Sequence, residues 1–301
     1  MIKVILEFSN ILTIMLMILI IFSVIIYLIY RLYPKVKYNK ESYDEPISDD
    51  PPALINSFFG GKIVGEINIE SFYITILDLI NRKYISVKIV SKNQKIAKKT
   101  KRKIFQNKTV LEDEKVLDKI ILKINKSSID KLHPFEKNVL RCLATLKYKG
   151  DIDILNTKDV IYKRLKVNVF QKNYDAWMKN FHDELLKDNK LSFFKNEGKD
   201  TKFKWGLFKK YYNKNLKSSN KSQEFLDKGI IYLPYLVAMG ISKSLLLDSF
   251  SESTNVTEVY LFLKYGEYSL VKNIVQDFLD ADGSFDPKYY NTSGNFVPGY
   301  G

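Results

Sequence analysis

Two histidines, His133 and His182, and one cysteine, Cys142, carry all the imidazole and thiol chemistry in 301 residues. No close spacing joins them, so they do not build the Cys/His tetrahedron of a usual zinc site. His182, Asp183 and Glu184 set an imidazole beside two carboxylates, but no nucleophile is paired with them. That triplet reads as exposed helix surface. Cys142 lies within the apolar pattern Val139, Leu140, Leu143, which makes it a small buried side chain, and a single cysteine forms no internal disulfide. Neither GxxxxGK[ST] nor GxGxxG occurs, so no phosphate cradle is expected. Asp280, Asp282 and Gly283 imitate part of a calcium loop. Phe278 stands where the first ligand should be and Tyr289 where the bidentate glutamate should be, so the loop fails. The expectation is a protein that is not an enzyme, with no metal and no cofactor.

The remaining chemistry is charge. The net charge is +14, which suits an anionic partner such as nucleic acid or a membrane's inner leaflet. The abundance of Lys, Ile and Asn beside scarce Ala, Gly and Arg also follows from an AT-rich genome, so only clusters are informative. The densest is KNQKIAKKTKRK, with Lys92, Lys95, Lys98, Lys99, Lys101, Arg102 and Lys103. It reads either as a solvated hairpin tip or as a contact with anionic lipid or nucleic acid. No aromatic residue is interleaved, so no stacking platform for single strands is indicated. Arginine, the usual reader of bases and clamp of phosphates, occurs only at Arg31, Arg82, Arg102, Arg141 and Arg164.

The elements that position these residues begin with Ile11 to Tyr30, ILTIMLMILIIFSVIIYLIY, free of charge, proline and glycine. As a helix it is about 30 Å long, the thickness of a bilayer's hydrocarbon core. It is expected to be a single retained transmembrane span, because a cleaved signal would be shorter and end in small residues. Arg31, Lys35, Lys37 and Lys40 follow it, which places residues from Pro34 onward in the cytoplasm. Residues 1–34 thus form the anchor and 35–50 a juxtamembrane linker of mixed charge.

Residues 51–125 read as a first winged-helix-like unit. Pro51-Pro52 opens a helix through ALINSFF, and Asn68 caps a helix with Ile69, Phe72, Ile76, Leu79 and Ile80 on one face. YISVKIV (84–90) alternates as a strand, paired with an extended piece near Ile104–Val110. An amphipathic helix over Leu111–Ile124 is expected next. Residues 126–212 read as a second such unit: a helix from His133-Pro134, a short strand at Ile152 and Ile154, and a helix TKDVIYKRL capped by Asn156. A longer helix comes next with the stripe Phe170, Tyr174, Trp177, Met178, Phe181 and Leu185, then a hairpin of LSFF and KFKW. The outer faces of the two would-be recognition helices mix signs, with Glu70 and Asp78 on one and Lys172, Asp175, Lys179, Asp183 and Glu184 on the other. That is unfavourable against a polyanion. Residues 213–280 form a C-terminal helical segment. GIIYLPYLVAMGIS within it is too short to span a bilayer and reads as a buried or interfacial helix pair, with one helix from Val259 to Leu279 after it. Residues 281–301, rich in Gly, Ser, Pro and Tyr, read as a disordered tail. The fold class expected is α+β, mainly helical: one N-terminal span, tandem winged-helix-like units and a C-terminal helical segment.

Four stretches taken together carry a resemblance: DDPPALINSFFGGKI (49–63), YITILDLINRKYISV (73–87), LHPFEKNVLRCL (132–143) and YLPYLVAMGISKSLLLDSF (232–250). They resemble the predicted membrane proteins with domain of unknown function 2207, the YciQ-like family, in its C-terminal cytoplasmic part. Such proteins carry an ATLLDLARRGYI-like helix-to-strand segment, an L-P-F-E helix start and a YLPYAIALGV-like signature. Thr75, Leu77, Asp78, Leu79, Arg82, Tyr84 and Ile85 match the first. Phe135 and Glu136 match the second, and Tyr232, Leu233, Pro234, Tyr235, Ala238, Gly240 and Phe250 the third. The resemblance implies a membrane protein, usually with an outer β domain and further spans; this chain reads as a reduced, single-span version. It implies no activity, and it makes the motif residues structural.

The functional expectation is a single-span membrane protein whose cytoplasmic region docks a protein partner or its own copies. The alternative is a membrane-tethered DNA-binding regulator that uses the Lys92–Lys103 wing.

Overall fold

The computed structural model describes residues 15–25, 27, 43–59, 65–100, 108–125, 129–161, 163–187, 199–251, 253 and 257–281. The chain divides into two units, residues 1–42 and 43–301. In the first, residues 15–25 are helical, and large apolar side chains there are exposed, from 46% at Ile25 to 65% at Leu19 and Phe22. Among the described residues no helix is long and apolar enough to cross a membrane. The expected span Ile11–Tyr30 extends beyond the described residues at both ends.

The second unit is mainly helical around one small sheet, the α+β class expected. Its elements run α1 (Pro52–Phe59), α2 (Ile69–Asn81), β1 (Ile85–Thr100), β2 (Lys108–Ile124), α3 (Pro134–Thr145), β3 (Ile152–Asp153) and α4 (Arg164–Leu186). Then come α5 (Lys199–Leu216), α6 (Gln223–Ile231), α7 (Leu233–Ala238), α8 (Lys243–Phe250), α9 (Glu258–Tyr265) and α10 (Tyr268–Asp280). The sheet order is β1-β2-β3, all antiparallel.

Local signals set several of these ends. Asn68 Oδ1 accepts from the Ser71 N–H at 2.9 Å and starts α2 as expected. His133-Pro134 starts α3, where Glu136 completes a capping box. The aromatic stripe of α4 is core. Trp177 meets Phe72 edge-on with centroids 5.1 Å apart, and Phe181 meets Phe135 at 5.0 Å. Such edge contacts suit the ring quadrupoles and add to the area buried.

The wings come out differently. Leu111–Ile124 is not a helix but most of β2. Ile120, Leu122 and Ile124 alternate with Lys119 and Lys123, and they oppose Ile89, Val87 and Ile85 on one buried face. A period of two over this stretch serves a strand once β1 offers a matching apolar row. β1 also continues past Val90, through a bulge at Val90/Ser91, to Thr100. The second expected hairpin does not form: KFKW lies on helix α5, which buries Trp205 and Phe208, while LSFF lies outside the described residues. The expected strand near Ile152 instead joins β2, Ile152 opposite Leu122 and Asp153 opposite Ile121. The tandem arrangement of two units with their own wings is therefore replaced by one shared sheet. Within the expected TKDVIYKRL a short helix forms over Lys158–Ile161, just before α4, and the Asn156 side-chain amide donates to Asp153 Oδ2 at 2.7 Å. Val259–Leu279 splits into α9 and α10 at Gly266, where a Cβ would come within 2.6 Å of the Phe262 ring. The YLPY segment falls on the helix pair α6–α7, which buries Ile230, Leu233, Leu236 and Ala238 but leaves Ile231 exposed. The tail beyond Ala281 lies outside the described residues.

Two helices end in the same left-handed turn. At the end of α7, Gly240 N–H donates to Val237 O (2.8 Å) and Ile241 N–H to Leu236 O (3.1 Å), with Gly240 at φ +70°. At the end of α2, Lys83 N–H donates to Ile80 O (3.0 Å) and Tyr84 N–H to Leu79 O (2.8 Å), with Lys83 at φ +66°. Both are Schellman turns, which favour glycine at the left-handed position. Lys83 stands where the ATLLDLARRGYI-like segment has glycine. Gly240→Ala is expected to destabilise the chain by about 1 kcal/mol, and Lys83→Gly to stabilise it by up to about 1 kcal/mol. Thermal unfolding of the two variants checks the opposite signs.

Candidate functional site

Three places concentrate charge: a buried ion cluster, the basic hairpin and a groove beside the base of that hairpin.

The cluster gathers the residues of the family resemblance. Arg82 at the end of α2 places Nη2 at 2.7 Å from Asp78 Oδ2, one turn back. The same nitrogen donates to Glu136 Oε1. Glu136 Oε2 accepts the His133 N–H at 2.8 Å, so this fully buried carboxylate caps α3 while it holds Arg82. Asp78 is buried too, although the helical reading put it on an outer face; α2 is buried on nearly every side, so it has no face for a major groove. The Tyr84 ring lies 5.3 Å from the Arg82 guanidinium, a cation–π contact. Phe135 packs under α3 against Phe181.

Tyr235, with Asn81 and Asn56 beside the matched residues, ties the C-terminal helices to the same region. Tyr235 donates to Asp50 O at 2.9 Å and stacks on Trp205 at 5.7 Å. Asn81 Nδ2 donates to Ile231 O at 2.8 Å, and Asn56 Nδ2 to Ala238 O at 3.3 Å. Pro234 opens α7 inside its first turn, where its missing N–H has no helical use, and Tyr232 is the residue joining α6 to α7. Burial pushes the Tyr235 phenol up, with the charge of Asp78 adding to it. The polar groups of Asp78, Arg82, Glu136 and Tyr235 are thus spent on internal contacts.

The chemistry suggested by residue types is not assembled. Cys142 is fully buried, and burial raises its thiol far from reactive. His182 and Asp183 stay on the outer side of α4, but Glu184 turns inward, 3.6 Å from His133 Nδ1. Among the described residues no group of three or more His, Cys, Asp and Glu side chains is placed to hold a metal.

In the basic hairpin, Lys92 pairs with Asp118 at 2.8 Å. Lys95, Lys98 and Lys99 lie on β1, whereas Lys101, Arg102 and Lys103 fall outside the described residues. The register sets Gln94, Lys95 and Ile96 opposite Glu114, Asp113 and Glu112. Glu112, Asp113 and Glu114 therefore lie across from the middle of the basic run, while Lys92 and the distal part, Lys98 to Thr100, are in register with the neutral or basic Val116, Val110, Thr109 and Lys108.

The groove has almost no counterpart in the sequence. It has a volume of ≈ 1110 Å³ between the base of β1–β2, residues Ile129 and Asp130, and the outer face of α3 with the turn after it. Ile121, Ile124, Ile129, Leu140 and Ile152 give it an apolar lining, and Lys88, Lys123, Lys137, Arg141 and Lys147 its cations. Lys137, Arg141 and Ala144 recur at helical spacing, which is the only signal for it in the sequence. Lys88 and Lys123 join them only through the β1–β2 pairing that a helix at Leu111–Ile124 would forbid.

The chain belongs to the family described as predicted membrane protein (DUF2207) C-terminal domain, which it matches over residues 35–212. That stretch contains the ion cluster, the hairpin and the groove, and stops before α6 and the YLPY motif. No curated protein and no solved structure matches the chain.

Burial holds the Asp78 carboxyl up to about 6, against the opposing pull of Arg82. Its unfolded-chain value is near 3.8. Between these values the folded chain binds the proton more tightly, so stability from this group falls as the pH climbs through that window. Asp78→Asn removes the fall. The melting temperature of this variant relative to the parent is therefore expected to be higher at pH 7.5 than at pH 4. Glu136→Gln keeps the shape but removes the buried charge opposite Arg82. It is expected to cost about 2–3 kcal/mol at pH 7, less than a fully buried pair because Arg82 reaches solvent. Chemical denaturation measures it.

Proposed function

We propose that this chain is a single-span membrane protein whose region 43–301 lies in the cytoplasm and works as a docking module for a protein partner, without catalysis of its own. The observation that carries the reading is the open groove at the hairpin base, apolar within and rimmed by cations, on a family of predicted membrane proteins. The motif residues support it indirectly. Arg82 and Glu136 join α2 to α3 beside the groove and turn their polar groups to each other, which leaves the groove's own cations for a partner. A preformed, partly apolar cleft with a few charged groups is the usual form of a binding site. The charged juxtamembrane side of Ile11–Tyr30 supports the cytoplasmic placement. The tethered DNA-binding alternative draws support only from the distal hairpin lysines, since α2 is enclosed.

A photo-crosslinking residue in place of Ala144, in cells, tests docking. The expected result is one discrete protein adduct in the carbonate-resistant membrane fraction, absent when the crosslinker replaces the exposed Lys210 of α5. Equal labelling at both positions, or labelling at neither, contradicts the docking reading. Recovery of the chain in the soluble fraction contradicts the anchor.

A further inference from the structure

We infer that the groove receives an acidic segment of its protein partner, a short stretch in which carboxylates flank apolar side chains. This rests on the docking reading and deepens it. Five cations line the groove against two acids, Asp130 and Asp151. Lys92 meets Asp118 at 2.8 Å, Lys228 meets Asp44 at 3.2 Å and Lys243 meets Glu267 at 3.0 Å. The groove's cations, like exposed Lys131 and Lys210, meet no carboxylate among the described residues, but here five of them surround one apolar floor. Among the described residues Lys88, Lys123 and Lys147 make no ion pair, and all three are exposed. Lys137 Nζ donates to the Asp130 carbonyl at 3.1 Å, and Arg141 Nη1 to Asn138 Oδ1 at 3.1 Å, so neutral oxygens hold these two cations in place. Lys166 Nζ reaches the Lys147 carbonyl and braces the rim from α4.

The arrangement of charge and apolar surface selects the partner's chemistry. Cations stand on both sides, two from the strands and three from α3 and the turn after it, with Ile121, Leu140 and Ile152 between them. A ligand that satisfies both must present an apolar centre with negative charge at its flanks. A carboxylate-bearing peptide does so, and a planar guanidinium such as that of Arg141 binds carboxylate through paired donors. A nucleic-acid backbone offers the charge but nothing for the apolar floor. Like charges in the wrong partner are excluded by the same rim.

The test uses the full chain in nanodiscs of neutral phosphatidylcholine and two fluorescent peptides, one alternating glutamate with leucine and one alternating lysine with leucine. Saturable binding of the glutamate peptide is expected at low salt, weakening as salt rises, with no binding of the lysine peptide. Lys123→Glu with Arg141→Glu is expected to weaken binding about tenfold or more, because two charge-assisted contacts become repulsive. Both positions are exposed, and Lys123→Gln with Arg141→Gln serves if the reversed pair disturbs folding. Bound peptide should also protect Lys88, Lys123 and Lys147 from acetylation. Absence of saturable binding, or affinity unchanged in both double variants, overturns the inference. So does equal protection of these lysines by phosphatidylglycerol nanodiscs without peptide, which would make the occupant a lipid. If the Ala144 adduct forms in cells but is unaffected by the charge reversals, docking stands and the acidic partner falls.

Discussion

The arrangement of the second unit depends on one arginine held between two buried carboxylates. Arg82 closes α2, and Glu136 opens α3; the contact between them joins two helices separated by the whole β1–β2 hairpin. A buried carboxylate is expensive unless it is paired and fully hydrogen-bonded. Glu136 meets both conditions by splitting its oxygens between the Arg82 guanidinium and the His133 N–H. Its place near the start of α3 adds the favourable field of the helix N-terminus. Asp78 completes the cluster at a cost, as its raised ionisation shows. The cluster thus fixes one geometry more than it adds stability.

That fixed geometry produces the groove. With α3 pinned at its first turn, its outer face meets the base of the hairpin at a set distance, and β3 is led back to pair with β2. The hairpin's outer edge is closed as well: the Glu258 carboxylate accepts the Val87 N–H at 3.1 Å, so β1 offers no bare edge there. Lys228 and Tyr212 hold the start of the unit by binding Asp44. These polar contacts point inward, and the cationic groove lies open beside them.

Much of this is legible in the sequence where the signal is local. Asn68, the two prolines before Ala53, and His133-Pro134 act within one helical turn, so their roles survive folding unchanged. The stripe from Phe170 to Leu185 reads as core and is buried. The family-like residues are recognisable, but not their purpose: nothing in the spacing of Asp78, Arg82 and Glu136 says that one nitrogen joins both carboxylates. Leu111–Ile124 misleads because Val116, Ile120 and Leu122 satisfy a helical spacing loosely and an alternating one well, and only the partner strand decides between them. KFKW misleads for the converse reason, since short alternation also occurs on a helix that buries Trp205 and Phe208. The groove is illegible because its walls come from strand, helix and turn residues that meet only after β2 pairs with β1.

The most direct test is amide hydrogen exchange on Arg82→Gln. If the Arg82–Glu136 contact fixes α3 and, through it, the groove, the variant should exchange faster well away from the substitution. Faster exchange is then expected over the first turns of α3 and the Leu122–Ile124 end of β2, as well as at the end of α2. Faster exchange confined to residues 79–84, with α3 and β2 unchanged, would show that the groove stands without the cluster and would contradict that dependence.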